Sequence, residues 1–132
     1  MDLDLFQDFN TRYGHPAGNG MLQNISSLIK QNVREVDMAA RYGEEEFILL
    51  LPMIDGNGAF ALAERLREQV EQQTWGNPSF GKLHVTISCG LASIPAQGIE
   101  TAESLLTCAN KALRRAKANG QNRVEIYEPG RD

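Results

Sequence analysis

The chain has 132 residues, of which 42% are hydrophobic and 23% are charged, so it can form one hydrophobic core but is too short for two ordinary domains. Its formal net charge of −4 argues against a nucleic-acid polymer as a partner, because phosphate-backbone binding needs a concentrated basic surface. No apolar run approaches the roughly 20 residues of a membrane-spanning helix and no signal peptide opens the chain, so we expect no direct membrane contact.

Helices and strands alternate along the chain. The helices are predicted from apolar residues that recur at helical spacing, and the strands from short runs rich in Val, Ile and Thr. Thr101 is a plausible N-cap, and Asn119-Gly120 is a typical C-terminal signal. In chain order the sequence predicts a helix at about 17–33, strands at 36–42 and 46–51, a helix at 57–73 ended by the cluster 75–78, a strand at 83–92, a helix from Thr101 to about 119, and a strand at 123–127.

The strands at 36–42 and 46–51 are predicted to form a hairpin with a two-residue turn at Gly43-Glu44, because glycine tolerates the backbone angles of such turns. The third helix is predicted to bury a stripe made of Leu105, Leu106, Ala109, Leu113 and Ala116. Helices interleaved with strands and a hairpin indicate an α+β fold, in which helices cover a mainly antiparallel sheet.

Cys89 and Cys108 are the two cysteines, and both lie among apolar neighbours. Buried, reduced cysteines are a simpler interpretation than a disulfide. That pattern favours a cytoplasmic protein, with any membrane tether located in N-terminal regions outside this chain.

Acidic residues are clustered at two points, Asp2 with Asp4 and Glu44 to Glu46, and carboxylate oxygens are the ligands that Mg²⁺ prefers. With these acids in place, the chain resembles the GGDEF family, the diguanylate cyclase domains that make cyclic di-GMP from GTP. The resemblance is carried by four blocks, DLDLFQDFN…YGHPAGN at 2–19, RYGEEEF at 41–47, VTISCGLA at 85–92 and LLTCANKALRRAKANGQNRV at 105–124.

The resemblance implies a nucleotidyl-cyclase-like, ferredoxin-like fold. In that family a central strand ends at the position of Asp2, so the leading strand is expected to be truncated at the N-terminus of this chain. We therefore expect residues 1–132 to be a single GGDEF domain, taken from a longer multidomain signalling protein.

The resemblance also implies a Mg²⁺ site made of Asp2, the Leu3 carbonyl and Glu45, with Asp2, Glu45 and Glu46 as the catalytic residues. The metal would neutralise the triphosphate and activate a 3′-hydroxyl for attack on an α-phosphate. Independently of the family, acids at strand ends are most often simply solvated.

Asn10 is implied to bind the guanine edge, since an amide offers both a donor and an acceptor. Asn19 stands where the family usually has Asp, which should weaken base recognition; as an alternative, both asparagines are turn residues only. Phe6, Gly43 and Lys117 complete the implied nucleotide-binding set. Lys117 would contact phosphate, or else it is a solvent-facing lysine that suits the C-terminal end of a helix.

Three further positions depart from the family pattern. Gln7 and Gln121 replace a Lys and an Arg that would meet the triphosphate, and Glu44 replaces the second glycine of the signature. Glu44 would cost about 1 kcal/mol if the glycine conformation were kept, and it adds negative charge beside the expected triphosphate. We therefore expect weak or absent catalysis.

Arg34-Glu35-Val36-Asp37 matches the RxxD motif of the family's inhibitory site, which binds a stacked cyclic di-GMP dimer. A guanidinium suits that role because its planar fork can hydrogen-bond bidentately and stack. Arg65 is a candidate for a supporting contact. The alternative for Arg34 and Asp37 is an exposed ion pair worth about 0–1 kcal/mol.

Three functions follow from these features. The first is a catalytically impaired domain that binds cyclic di-GMP at Arg34 and Asp37; the second is an active or weakly active diguanylate cyclase that condenses two GTP molecules; the third is a ligand-free dimerisation scaffold. The expected partners are GTP, cyclic di-GMP and a second copy of the domain, because the family's catalysis brings two GTP-loaded domains together.

Overall fold

The structure is a computed structural model that describes residues 1–73 and 85–131. Its elements are β1 (Asp2–Leu3), α1 (Phe6–Tyr13), α2 (His15–Asn32), β2 (Met38–Arg41), β3 (Phe47–Leu50), α3 (Gly56–Gln72), β4 (Ile87–Leu91), α4 (Ala102–Ala118) and β5 (Arg123–Ile126). The α+β class is confirmed, and the three predicted helices begin and end within about two residues of α2, α3 and α4. The cluster 75–78 and residues 83–84 of the predicted strand lie outside the described residues.

Two small sheets meet at the N-terminal strand. β1 pairs antiparallel with β4, and β4 pairs parallel with β5, while β2 and β3 form an antiparallel hairpin. Residues at the start of the chain join the two: the Phe47 amide donates to the Met1 carbonyl at 2.9 Å, and Asp2 forms an isolated antiparallel bridge with Glu46. The expected mainly antiparallel arrangement is therefore present, with one parallel pair at its far side.

The hairpin differs from its prediction. Arg41 lies opposite Phe47, so five residues, 42–46, connect β2 to β3, and the two-residue turn is wrong. The wider loop is held by the Arg41 guanidinium, which donates to the carbonyls of Gly43 at 3.1 Å and Glu44 at 2.7 Å. Neither Gly43 nor Glu44 has a positive φ, so the glycine conformation is not used here and its conformational cost for Glu44 does not arise.

Helix α4 packs directly on β4, which changes its predicted stripe. Its buried side chains are Cys108, Ala112 and Ala116, while the leucines of the predicted stripe are half-buried. Small residues face the sheet because the two backbones nearly touch: a Cβ added to Gly90 would lie 2.2 Å from the Ala109 carbonyl oxygen. Cys89 is also buried, and neither cysteine is in a disulfide.

Helix α4 has the caps that its sequence predicts. Thr101 accepts from the Ser104 amide and Ser104 accepts from the Thr101 amide, which is a capping box. At the other end Gly120 has φ +116°, and the Gln121 amide donates to the Ala116 carbonyl at 3.0 Å, as in a Schellman motif. These caps fix the helix end that carries Lys117.

Helix α1 was not predicted from the sequence. It starts directly after β1, where Leu5 has the left-handed φ of 58°, and it ends at Gly14, which has φ 90°. Phe6 is its only fully buried residue, and Phe9 and Tyr13, which follow it at helical spacing, pack against the core while partly exposed. This short apolar repeat is the signal that the sequence prediction missed. The turn at Leu5 places the start of α1 beside the end of β1.

Candidate functional site

An open pocket of about 290 Å³ lies where β1, the start of α1, the 42–46 loop and the end of α4 meet. It is lined by Asp2, Leu3, Leu5, Phe6, Gln7, Asp8, Glu45 and Lys117. The pocket thus collects the three residues expected to hold Mg²⁺, together with Phe6 and Lys117 of the implied nucleotide set. Of the other predicted site residues, Glu46, Gly43, Asn10 and Asn19 are not among its lining residues.

Backbone pairing positions Asp2 and Glu45. The Leu3 amide donates to the Glu45 carbonyl at 3.2 Å, and Asp2 bridges to Glu46, so the acidic loop lies against β1. Asp2 Oδ1 is buried, and among the described residues it has no hydrogen-bond partner. Buried polar atoms are normally satisfied, so an unpaired oxygen on a residue that lines the pocket is an acceptor that a bound cation would satisfy.

The folded protein disfavours the ionised forms of Asp2 and Glu45. Burial raises the pKa of Asp2, an effect that the nearby Lys117 only partly opposes. Burial likewise raises the pKa of Glu45, and the charge on Asp2 adds to the increase. Carboxylates that share a partly buried site repel one another, so a cation placed between them would favour their ionised forms.

The residues present fit a magnesium ion shared with phosphate. Across residues 1–73 and 85–131, no three His, Cys, Asp or Glu side chains converge as a complete metal cage. Asp2 and Glu45 offer two carboxylates and Leu3 offers a carbonyl. Mg²⁺ is commonly held by one or two carboxylates, with substrate phosphates and waters filling its other positions.

Lys117 lies inside this group rather than facing solvent. Its Nζ is 2.6 Å from Asp4 Oδ1, 3.3 Å from the Leu3 carbonyl oxygen and 3.7 Å from Asp2 Oδ2. The ammonium therefore contacts two of the three residues expected to ligate metal. Its expected contact with phosphate stays a prediction.

Asp4 is a buried carboxylate that the sequence reasoning did not assign to the site. It accepts from the hydroxyls of Thr86 and Ser88, both at 2.7 Å, and from the backbone N–H of Asn122 at 3.0 Å, in addition to Lys117. Burial acts to raise the pKa of Asp4, but these hydrogen bonds, that from Lys117 first, hold it below its ordinary value. The available signal was the alternation of Thr86 and Ser88 with apolar residues.

The two asparagines expected at the guanine edge differ in their surroundings. Asn10, on α1, has a buried Oδ1 without a hydrogen-bond partner in the described parts of the chain. Gly18 lies against it, since an added Cβ there would be 1.8 Å from that oxygen. Asn19, on α2, is exposed. The buried acceptor at Asn10 is compatible with its predicted role at the guanine edge.

Arg34 and Asp37 bind each other in this structure. The Arg34 guanidinium lies 2.7 Å from Asp37 Oδ1 and donates to the Pro52 carbonyl at 2.5 Å. The Arg34 side chain is 40% exposed, whereas that of Asp37 is shielded from solvent, and the hydrogen bonds from Arg34 hold the pKa of Asp37 below its usual range. Arg65 lies on α3, where it donates to the side chain of Asn32, the last residue of α2, at 2.8 Å.

Gln7 lines the pocket on its exposed side, and Gln121 lies in the turn after α4 with φ 63°. Both stand at positions where the resemblance implies cations.

None of the helices in the described segments is long and apolar enough to cross a membrane.

Comparison with known proteins gives one consistent result. Residues 1–123 match the family described as "Diguanylate cyclase, GGDEF domain". Diguanylate cyclase A of Treponema denticola is 41% identical over 126 residues, which cover 96% of this chain and 33% of that protein. The chain therefore spans about a third of the length of this curated relative.

Solved structures show the same fold. The active GGEEF domain of a diguanylate cyclase from Vibrio cholerae superposes with a TM-score of 0.90 at 28% identity, covering 98% of this chain and 80% of that one. The GGDEF domain of DgcB from Caulobacter crescentus, in complex with c-di-GMP, gives a TM-score of 0.87 at 29% identity, with 96% of this chain and 74% of that one covered.

Proposed function

Because the chain belongs to the GGDEF family of diguanylate cyclase domains, we propose that it is a cyclic di-GMP signalling domain with an impaired catalytic pocket, and that it binds cyclic di-GMP at Arg34 and Asp37. The proposal of impaired catalysis is supported by the charge of the pocket. Its lining contains three acids, Asp2, Asp8 and Glu45, and one basic residue, Lys117. That lysine is already paired with Asp4 at 2.6 Å.

The pocket still has what metal-assisted phosphoryl transfer requires first. Asp2, the Leu3 carbonyl and Glu45 would hold Mg²⁺, which when bound would neutralise phosphate charge and polarise the reacting oxygens. Asn10 would orient the guanine through its buried oxygen. Gln7 and Gln121 supply no charge, so we expect a bound triphosphate to be poorly neutralised and its transition state to be stabilised less.

Arg34 supports the receptor role. Its guanidinium is partly exposed and lies two residues beyond the end of α2. A planar fork that now binds Asp37 and a carbonyl can exchange these partners for a phosphate and a purine edge, while the freed carboxylate accepts from guanine N–H groups. Arg65 lies near this position, on the neighbouring helix. That the DgcB domain was solved in complex with c-di-GMP makes this ligand class the natural one to test.

Calorimetry with cyclic di-GMP tests the receptor role. We expect the wild-type domain to bind, and Arg34→Ala to weaken binding at least about tenfold, because losing one charge-assisted contact costs roughly 1.5–3 kcal/mol. Arg114→Ala, which removes an exposed arginine on α4, is the matched control. Equal affinity of Arg34→Ala and wild type would contradict the assignment.

A weakly active cyclase is the second candidate, and two observations favour it. Asp2 Oδ1 is buried without a partner among the described residues, and Glu44 occupies its loop without a positive φ. Incubation with Mg²⁺ and GTP, followed by chromatography of the products, tests it. We expect slow formation of cyclic di-GMP, none in Glu45→Ala, and a several-fold faster rate in Glu44→Gly, because that change removes a negative charge near the triphosphate. A rate unaffected by either substitution would exclude this pocket as its source.

A further inference from the structure

The ammonium group of Lys117 lies among the atoms expected to hold a metal. It is 3.3 Å from the Leu3 carbonyl oxygen and 3.7 Å from Asp2 Oδ2, and Asp4 Oδ1 anchors it at 2.6 Å. Among the described residues that line this pocket, Lys117 is the only cation. Its charge therefore offsets part of the repulsion between the two crowded carboxylates.

We propose that Lys117 competes with the divalent cation for its site. When no metal is bound, the Lys117 ammonium lies near the expected ligands, and metal binding at Asp2, Leu3 and Glu45 displaces it. This inference rests on the metal site of the proposed function. An ammonium and a divalent cation a few ångströms apart repel strongly in a partly buried pocket. The ammonium and the metal would also contact the same two groups, the Leu3 carbonyl and the Asp2 carboxylate.

Displacement is feasible because Lys117 keeps a second partner. Its side chain is 27% exposed and has a flexible four-carbon stem, so its Nζ can leave Leu3 and Asp2 while it still contacts Asp4. Asp4 itself is held by Thr86, Ser88 and Asn122 and does not need to move. The withdrawn ammonium would then face the pocket, where it can meet an anion.

A positive coupling between metal and polyphosphate follows. Metal binding releases Lys117 toward the position of a phosphate, and by reciprocity a bound polyphosphate that attracts Lys117 raises the affinity for metal. The same lysine would therefore weaken the binding of free metal and strengthen the binding of metal together with phosphate.

Direct binding of Mn²⁺ as a stand-in for Mg²⁺, measured by electron paramagnetic resonance without nucleotide, tests the competition. Lys117→Gln removes the charge and leaves an amide that can still donate to Asp4. We expect it to bind Mn²⁺ at least about tenfold more tightly than wild type. Lys111→Gln, on the same helix but outside the pocket lining, should match wild type. Adding inorganic triphosphate should raise the Mn²⁺ affinity of wild type more than that of Lys117→Gln.

Equal Mn²⁺ affinity of Lys117→Gln and wild type would overturn the competition and leave the metal site standing. No Mn²⁺ binding by any variant would overturn both the competition and the metal part of the proposed function. A titration of the wild-type protein with lysine side chains labelled for NMR gives a second readout if the variant does not fold. We expect the Lys117 signal to move with Mg²⁺ and the Lys111 signal to stay; an unmoved Lys117 signal in the metal-saturated protein would refute the inference.

Discussion

The carboxylate of Asp4, just after β1, accepts hydrogen bonds from three other parts of the chain. Its oxygens accept from Lys117 on α4, from the amide of Asn122 after that helix, and from Thr86 and Ser88 at β4. Asp4 is 6% exposed, so these donors have little access to water in its place. Removing one partner of a buried, charged network leaves the others unsatisfied, which costs more than the network contributes.

We expect Asp4→Ala to lower the free energy of unfolding by about 3 kcal/mol, because it leaves Lys117, two hydroxyls and an amide without their acceptor. Asp8→Ala, at an exposed position four residues later, should change it by about 0.5 kcal/mol or less. Urea unfolding at neutral pH measures both. If the two substitutions had equal effects, the network would not be the source of the stability.

The pH dependence of stability should report the same carboxylate. The pKa of Asp4 is lowered in the folded protein from its ordinary value of 3.8, so its contribution is complete above that value and is lost as the pH falls toward the folded pKa. We expect the stability of the wild type to fall on acidification below about pH 4, and Asp4→Asn to show a smaller fall. Asp2 and Glu45 act in the opposite sense, since their raised pKa values favour the folded state at low pH.

At the scale of elements, the contact between α4 and β4 positions Lys117. The contact depends on Gly90, where a Cβ would lie 2.2 Å from the Ala109 carbonyl oxygen and 2.3 Å from the Leu113 amide nitrogen. Both atoms are backbone and cannot rotate away. Any side chain at this position must therefore push the helix off the strand.

We expect Gly90→Ala to destabilise the domain by about 3 kcal/mol, at the upper end for overpacking, because helix backbone has to move. Gly20→Ala is the matched control: it lies within α2, nothing lies within 4 Å of the added Cβ, and alanine should stabilise the helix by about 0.5–1 kcal/mol. Thermal unfolding of the two variants should give shifts of opposite sign. A stable Gly90→Ala would show that α4 is not tightly fixed to the sheet.

The elements that could be predicted are those whose sequences contain their own signals. Helices α2, α3 and α4 have long apolar repeats, and α4 also has both caps. Helix α1 has only a short apolar repeat, Phe6, Phe9 and Tyr13, and it begins after a left-handed Leu5 without a side-chain cap, so it lacks the usual start signal. The 42–46 loop depends on the Arg41 side chain binding two loop carbonyls, and turn propensities do not include such a contact.

At the scale of the whole molecule, β1 holds the two sheets and the site together. It pairs with β4 on one side, and residues 1–3 contact Phe47 and Glu45 on the other. The family motifs predicted that Asp2, Leu3, Glu45 and Lys117 would belong to one site, and the pocket contains all four. They did not reveal Asp4 as the anchor of Lys117, because such a partner is chosen by side-chain packing in three dimensions. The pairing of Arg34 with Asp37 is the ion pair that the sequence offered as the alternative.

The hairpin that carries Glu45 should be the least protected part of the described sheets. All four residues of β2 are exposed. The Tyr42 amide donates to the Glu46 carbonyl. Because hydrogen-bonded pairs alternate along an antiparallel ladder, the strand register then places the amides of Ala40 and Met38 toward β3. The amides of Ala39 and Arg41 therefore point away from β3, where the described part of the chain provides no strand partner.

Amide hydrogen exchange checks this order. We expect Ala39 and Arg41 to exchange at least about 100-fold faster than Ser88 and Cys89, because β4 lies between two strands and packs against α4, whereas β2 is paired on one side only. Adding Mg²⁺ with a non-hydrolysable GTP analogue should slow exchange at Phe47, since a ligated Glu45 would fix the loop against β1. The internal reference is Cys89, whose rate should be unchanged. The contrary outcome is an exchange rate at Phe47 that does not change when ligand is added, while β2 still exchanges fast. The hairpin would then move independently of the pocket and could not hold Glu45 at the metal.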